Sequence, residues 1–367
     1  MVPARDEPPA KVNLLNAPPA AVRPLIEEAC VAAGEPLYRA RQTLHHLWAQ
    51  PAPDFDHMSD LPKAFRDVLK TRFELPRLPI MARERSVDGT EKFLFRLADG
   101  EAIETVAIPE GDRLTLCISS QAGCALRCAF CATGAMGFAR NLHTYEIAGQ
   151  VREMRLLDPP IRVTNVVFMG MGEPLMNWNA VGPALSILND PDGLGIGARH
   201  ITVSTVGVLP GIVALGERPE QFRLALSIHA PSDALRRALM PINTKFPLAQ
   251  VIDAAKAFAR RVTFEYVMLG GVNDALEHAL QLAQLAKECG AFVNLIPLHP
   301  GGAQGFTPSS ANRMRAFTAE IRKSGVEVAV RKSRGLDIAA ACGQLRVERL
   351  GRRAPGSAQE HGGVHVA

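Results

Sequence analysis

Apolar positions change period along the chain, and each change marks a different kind of element. From residue 17 to about 75, Leu37, Ala40, Leu44 and Leu47 form one stripe at helical spacing, and Leu61, Phe65, Val68 and Leu69 form another. Gly34 with Pro36, and PAPDFD at 51–56, interrupt the stripes. The pattern predicts a compact helical module of roughly 75 residues. SVDGTEKFLF then predicts the opening of a hairpin. From about residue 113, short β-branched runs alternate with amphipathic stretches. RLTLCIS, VTNVVFMG, HITVST, RLALSIH, VTFEYVML, FVNLIP and VEVAVRK read as strands; TYEIAGQVREMRLL, LAQVIDAAKAFA and ALEHALQLAQLAKE read as helices. Strands alternating with helices predict an α/β fold, a parallel sheet covered by helices in an open or closed barrel. Residues 1–12 and the polar, Gly-rich end after about 346 read as loose segments.

Composition narrows the class without changing this picture. With 367 residues, 47% hydrophobic and 21% charged, the chain has the makeup of a globular protein, and its length suggests a large domain and a smaller one. No run of about eighteen apolar residues is present, so no membrane span is expected. MVPARDEPPAKVN lacks the apolar stretch of a signal peptide, which points to the cytoplasm. There, disulfides are rare and clustered thiols more often bind metal or do chemistry. A net charge of +4 is compatible with a nucleic-acid partner but does not demand one.

Three of the seven cysteines stand within eight residues, in CALRCAFC: Cys124, Cys128 and Cys131. Buried structural cysteines would not need that spacing. A zinc knuckle needs a fourth ligand, and Cys117 and His143 give no familiar zinc pattern. The third reading is a [4Fe–4S] cluster with three thiolates and one open iron, placed after the first barrel strand, where loops build active sites. Other segments are silent by themselves. GMGEP at 170–174 reads as a tight turn, GLGIG at 193–197 as another, His229 as a structural histidine, Cys117 and Cys342 as packed thiols, and Glu104 as a surface carboxylate.

The surrounding text adds a resemblance. CISSQAGCALRCAFCATGAMGFARNL, VVFMGMGEPLMN, ITVSTVGV, LALSIHAPSDALRRALMPIN, FEYVMLGGVND and RGLDIAAACGQL resemble the RlmN/Cfr family of radical S-adenosylmethionine (SAM) RNA adenine methyltransferases, with order and spacing kept from about residue 13 to 345. The resemblance implies a partial (β/α) radical-SAM barrel with an N-terminal helical accessory domain: residues 1–90 for RNA binding, 91–346 as the radical SAM core, 347–367 as a disordered tail. It implies a [4Fe–4S] cluster on Cys124, Cys128 and Cys131, and SAM contacts at Gly172, Glu173, Ser204, Ser227, Ile228, His229 and His299. NLIPLHP differs from the family's NLIPWNP and puts His299 where an Asn contacts SAM; imidazole offers a similar donor and acceptor in different geometry. GGAQGFTPSS departs from the family's proline-aromatic loop, which bears on substrate choice. Cys30 and Cys289 match nothing catalytic and are expected to be structural.

The same resemblance implies roles for three further residues. Cys342 is the cysteine that is methylated, Cys117 its resolving partner through a transient disulfide, and Glu104 a proton acceptor. Carbon 2 of adenine is electron-poor and cannot attack a methyl cation equivalent, so a radical route is needed. The implied sequence is methyl transfer to Cys342, hydrogen abstraction by a radical from a second SAM, addition to the base, and release by Cys117. Partners implied are 23S rRNA and possibly tRNA, with an electron donor such as flavodoxin or ferredoxin. Arg313, Arg315, Arg322, Lys323, Arg331, Lys332 and Arg334 cluster ahead of Cys342, with Arg352 and Arg353 beyond, and suit phosphate contacts. A carbon-8 specificity of the Cfr type, or a catalytically silent iron–sulfur or zinc RNA-binding module, are the alternatives.

Overall fold

The computed structural model describes residues 10–299 and 305–345. The expected tail at 347–367, Arg352 and Arg353 therefore lie outside the described residues. Strand β1 (Val12–Asn13) is the first element among the described residues, followed by helices α1 (Pro19–Ala33), α2 (Tyr38–Leu47) and α3 (Lys63–Arg72); β2 (Phe73–Glu74) pairs in parallel with β1 and closes this module. Gly34, at φ 68°, ends α1 by donating its N–H to the carbonyls of Cys30 and Val31, a conformation that favours glycine. Ala40, Leu44 and Leu47 are buried as the stripe predicted, but Leu37 is 56% exposed because it precedes the first turn of α2.

Strands β3 (Ile80–Arg85), β4 (Glu91–Arg96), β5 (Ala102–Glu110) and β6 (Arg113–Cys117) follow as an antiparallel meander. The expected hairpin is β3–β4; β5 had no counterpart in the sequence reading, and Glu104, taken by itself for a surface carboxylate, lies on it at 5% exposure. After β6 come β7 (Gln121–Gly123), α4 (Ala132–Met136) and β8 (Phe138–Asn141), then α5 (Thr144–Arg155) and β9 (Asn165–Phe168). The alternation continues with α6 (Trp178–Asn189), β10 (Ile201–Thr205), α7 (Leu209–Gly216), β11 (Arg223–Ser227), α8 (Asp233–Leu239), α9 (Leu248–Ala257) and β12 (Val262–Met268). It ends with α10 (Leu276–Cys289), β13 (Phe292–Pro297), α11 (Ala311–Lys323) and β14 (Val328–Val330).

One sheet carries the site. Its ten strands run in the order β14-β13-β12-β11-β10-β9-β6-β5-β4-β3, with β6 and β9 to β14 all parallel. Helical crossovers force this: a parallel neighbour can be reached only by a long return, and the helix filling it covers the sheet. The sheet is open, a partial barrel with edges at β14 and β3. After β14 the chain reaches to the other edge, where Asp337 accepts from Ser86 Oγ (2.5 Å) and the Val87 N–H (3.2 Å), and Asp88 accepts from the Gly335 N–H (3.0 Å). It then returns to α4, where the Gly343 carbonyl accepts from the Ala132 N–H (2.8 Å) and the Leu345 carbonyl from Thr133 Oγ1 (2.7 Å). This strap carries Cys342.

Candidate functional site

The three clustered thiols occupy the loop between β6 and α5. Cys124 follows β7, with its N–H bonded to the Gly137 carbonyl (2.8 Å); Cys131 sits at the start of α4, with its N–H on the Cys128 carbonyl (3.1 Å). Between them the chain is tied to α8 by the Ala129 N–H on the Leu239 carbonyl (2.8 Å). All three cysteines line one cavity. Burial pushes the Cys124 thiol up to about 11, and burial followed by its two neighbours raises Cys128 further. Thiols so placed resist ionisation unless a cation accepts them. No three His, Cys, Asp or Glu side chains among the described residues converge as the ligands of one metal ion. A single zinc would draw its thiolates to within about 4 Å of one another, whereas a cubane cluster spreads three thiolates over three irons. The donor set fits a cluster better than a mononuclear zinc site.

The ends of successive parallel strands supply the remaining walls, the place where open α/β sheets bind ligands. Gly172, after β9, has φ 97°, and a Cβ there would stand 2.5 Å from the Gln121 side chain, so the GMGEP turn needs glycine at this point. Glu173 is 3% exposed, and its carboxylate accepts from the N–H groups of Leu175 (3.1 Å) and Val206 (2.9 Å). No cation pairs with it among the described residues, and burial, against those hydrogen bonds, raises it to about 7. A buried carboxylate in a cavity and without a counter-ion suits a ligand ammonium. Ser204, Ser227 and His229 line the same cavity, from β10, the end of β11 and just beyond. The His229 Nδ1 accepts the Val267 N–H (3.0 Å), its ring meets Phe130 edge-on at 4.7 Å, and burial lowers it to about 3. It is therefore neutral, with its proton on Nε2. Ile228 is fully buried in the core and is not part of the cavity lining.

A second cavity adjoins the first. Cys117, Cys342 and His299 line it, together with Glu110, Lys332 and Arg334. His299 faces this cavity rather than the one holding Glu173, and its Nε2 is hydrogen-bonded to Ser333 Oγ. Cys342 lines both cavities, as do Met169, Ile296 and Arg331. Burial, and then the charge of Cys342, push Cys117 up to about 12. Glu104 lines neither cavity. It shares a sheet face with Cys117 through the β5–β6 pairing of Val106 with Cys117, and the Lys92 amino group is 3.4 Å from its Oε1. All seven cysteines are free thiols, so the disulfide expected between Cys117 and Cys342 has no support here.

Several residues of the site had no place in it in the sequence reading. Glu265 on β12, bonded to Asn294 Nδ2 (2.8 Å), lines the first cavity. Its signal was a carboxylate inside an otherwise apolar strand, FEYVML. Arg331 read as one of a basic surface run; it stands instead at the end of β14 on the wall between the cavities, while Arg313, Arg315, Arg322 and Lys323 are exposed on or beside α11. Arg236, fully buried on α8, holds the Val206 and Ser227 carbonyls and Asn243 Oδ1. Only the fold brings those partners to it.

Comparisons with known proteins agree with this geometry. Residues 118–283 match the family model of the Radical SAM superfamily, and residues 12–75 that of the ribosomal RNA large subunit methyltransferase N-terminal domain. A protein of Gemmatimonas aurantiaca named probable dual-specificity RNA methyltransferase RlmN is 70% identical, covering 97% of this chain and 99% of its own length. A Moorella thermoacetica protein of the same name is 46% identical over 88% of this chain and 94% of its own. A crystal structure described as a radical SAM methyltransferase from Sphaerobacter thermophilus superposes with a TM-score of 0.84 at 44% identity, covering 91% of this chain and 99% of that one.

Proposed function

The chain belongs to the RlmN family of radical SAM methyltransferases, and on that footing we propose that it transfers a methyl group to carbon 2 of adenosine in RNA, in 23S rRNA and in tRNA. One observation carries the reading: Cys342 stands on the wall between a cavity lined by three clustered thiols and a cavity lined by Cys117. A pure RNA-binding module needs neither lone thiol there.

When bound, a [4Fe–4S] cluster and SAM supply the one-electron chemistry that an electron-poor C–H carbon requires. Cys124, Cys128 and Cys131 hold the cluster. Glu173 takes the amino group of SAM, the backbone at Gly172 lets it approach closely, and Ser204, Ser227 and His229 complete the first cavity. His229 donates from Nε2, because its Nδ1 is committed to Val267. Ile228, outside the cavity lining, holds Ser227 and His229 in place from behind, its N–H fixed on the Glu265 carbonyl (3.1 Å). His299, facing the second cavity, acts on the substrate side. Cys342 carries the methyl group between the two cavities, and Cys117 displaces the product carbon from the Cys342 sulfur. Glu104, on the sheet face it shares with Cys117, is the proton acceptor.

The helical module that β2 closes is the RNA-binding accessory domain, and the ten-stranded sheet from β3 onward is the radical SAM core; the expected boundary at 90 falls inside the β3–β4 hairpin of that sheet. The electron donor is a small electron-transfer protein such as flavodoxin or ferredoxin. Free thiols and an RNA substrate support a cytoplasmic setting. No helix among the described residues is long and apolar enough to cross a membrane. Nucleoside mass spectrometry of 23S rRNA and tRNA from cells with and without the gene tests the reading. The expected product is 2-methyladenosine, lost on deletion. 8-Methyladenosine would transfer the assignment to carbon 8, and no change in either nucleoside would sink it.

A further inference from the structure

Arg331 has no part in the roles assigned above, yet it stands on the wall between the two cavities. Its backbone N–H donates to the Leu295 carbonyl (2.8 Å), which pins the start of the strap to β13, and its Nη1 lies 3.8 Å from the Met169 sulfur. Met169, Ile296 and Cys342 complete with it the wall that the two cavities share. On that wall the guanidinium has the Cys342 sulfur as its foremost charge partner, with Glu265 and Cys117 after it. Glu265 is held from behind by Asn294 on β13. Asn294 thus fixes Glu265 on the wall of the first cavity, which Arg331 and Cys342 also line.

Two thiolates side by side repel, and one guanidinium compensates only one of them. We propose that Arg331 is the single counter-charge of both thiols, serving Cys342 while that sulfur is a thiolate and Cys117 once Cys342 has become a thioether. This rests on the reading that Cys342 accepts a methyl group. In that step a Cys342 lone pair forms the new S–CH3 bond, the sulfonium C–S bond breaks, and its electron pair stays on the departing sulfur. Thiolate and sulfonium charges cancel, so Arg331 loses an anion. Cys117 can then give its proton to water through the cavity it lines, and the guanidinium stabilises the thiolate that forms. Before methylation the same arrangement keeps Cys117 protonated and prevents early attack, because burial and the Cys342 charge both raise it. The other ionisable groups around the pair are Glu110, His299, Lys332 and Arg334 in the second cavity, and Glu173, Glu265, His229 and the three clustered cysteines in the first. Of the three cations here among the described residues, only Arg331 lines both cavities; Lys332 is exposed and screened by water.

Arg331 is on this view a positioning residue, and its test is thiol reactivity rather than turnover. Cluster-loaded enzyme, kept anaerobic, is treated with iodoacetamide from pH 6 to 10, and alkylation at Cys342 and Cys117 is followed by peptide mass spectrometry. In Arg331→Met the alkylation of Cys342 at pH 8 slows about tenfold, and Arg331→Lys recovers most of it. Cys342→Ser keeps the side-chain volume without the charge, so at pH 8 Cys117 reacts about tenfold faster than in wild type. The double variant Cys342→Ser, Arg331→Met loses that gain, which separates charge from access. An unchanged Cys342 profile in Arg331→Met with iron content intact overturns the proposal. Should Arg331→Met not hold its cluster, an unchanged Cys117 rate in Cys342→Ser overturns it alone. Failure of wild-type Cys342 to gain 14 Da with SAM would sink the methyl-acceptor reading instead.

Discussion

At position 229 backbone and ring are constrained together. His229 has φ 54°, in the left-handed region, and its Nδ1 must accept the Val267 N–H, so the side chain cannot be protonated without breaking a buried hydrogen bond. The folded protein holds this imidazole near 3, below its ordinary 6.5. A depressed histidine contributes stability that is fully present above pH 6.5 and is lost as pH falls towards 3, because only the unfolded chain takes up the proton. The slope from one such group is at most about 1.4 kcal/mol per pH unit. Asparagine tolerates positive φ and offers an acceptor at nearly the same place, so His229→Asn should flatten the fall in stability between pH 6.5 and 5. Urea unfolding at several pH values measures this; parallel curves for both proteins would mean that other groups cause the acid loss.

At the scale of elements, α5 is the joint between the helical module and the sheet. Arg152 is 1% exposed, and its guanidinium donates to the carbonyls of Leu47 (2.8 Å) and Ala52 (2.5 Å). Arg155 reaches the carbonyls of Trp48 (2.9 Å) and Ala49 (3.1 Å). These four carbonyls belong to the end of α2 and the residues after it, where no intrahelical donor remains. Arg77 makes a two-pronged pair with Glu153 alongside (2.7 and 2.8 Å). Arg152→Met keeps the stem but strands two buried carbonyls, which costs about 2 to 4 kcal/mol. Chemical unfolding should show that loss, whereas Lys63→Met on the exposed face of α3 should change stability by less than about 0.5 kcal/mol. Equal effects would show that the module is not anchored through α5.

Across the whole molecule, the cations divide into two populations that the sequence presents as one run. Arg313, Arg315, Arg322 and Lys323 are exposed, while Arg331 serves the site. Replacing those four by Gln should lower RNA affinity and reduce the slope of log K against log salt by between one and three, at about 0.7 per single-strand phosphate contact. SAM binding should be unaltered. Filter binding over a salt series, beside SAM titration by calorimetry, checks both. An unchanged slope would move the RNA path elsewhere on the surface.

Much of this protein was legible one residue at a time. The cluster cysteines, the GMGEP turn and the βα alternation are local in sequence, because thiol spacing, glycine backbones and hydrophobic period act over a few residues. Such patterns were enough to expect a parallel sheet in an open or closed barrel with its site at the strand ends; the fold decided that it is open. Tertiary structure decided the rest, through contacts between residues far apart in the chain. Glu104 looked like a surface carboxylate until β5 was seen to be buried between β4 and β6. His299 falls in the second cavity rather than beside Glu173, because the turn after β13 directs it towards Ser333. Cys117 and Cys342 are 225 positions apart and become neighbours only because the strap after β14 is tied first to the β3–β4 turn and then to α4. Periodicity reports which face of an element is buried; which distant side chain shares a charge is set by how the edges of the sheet are joined.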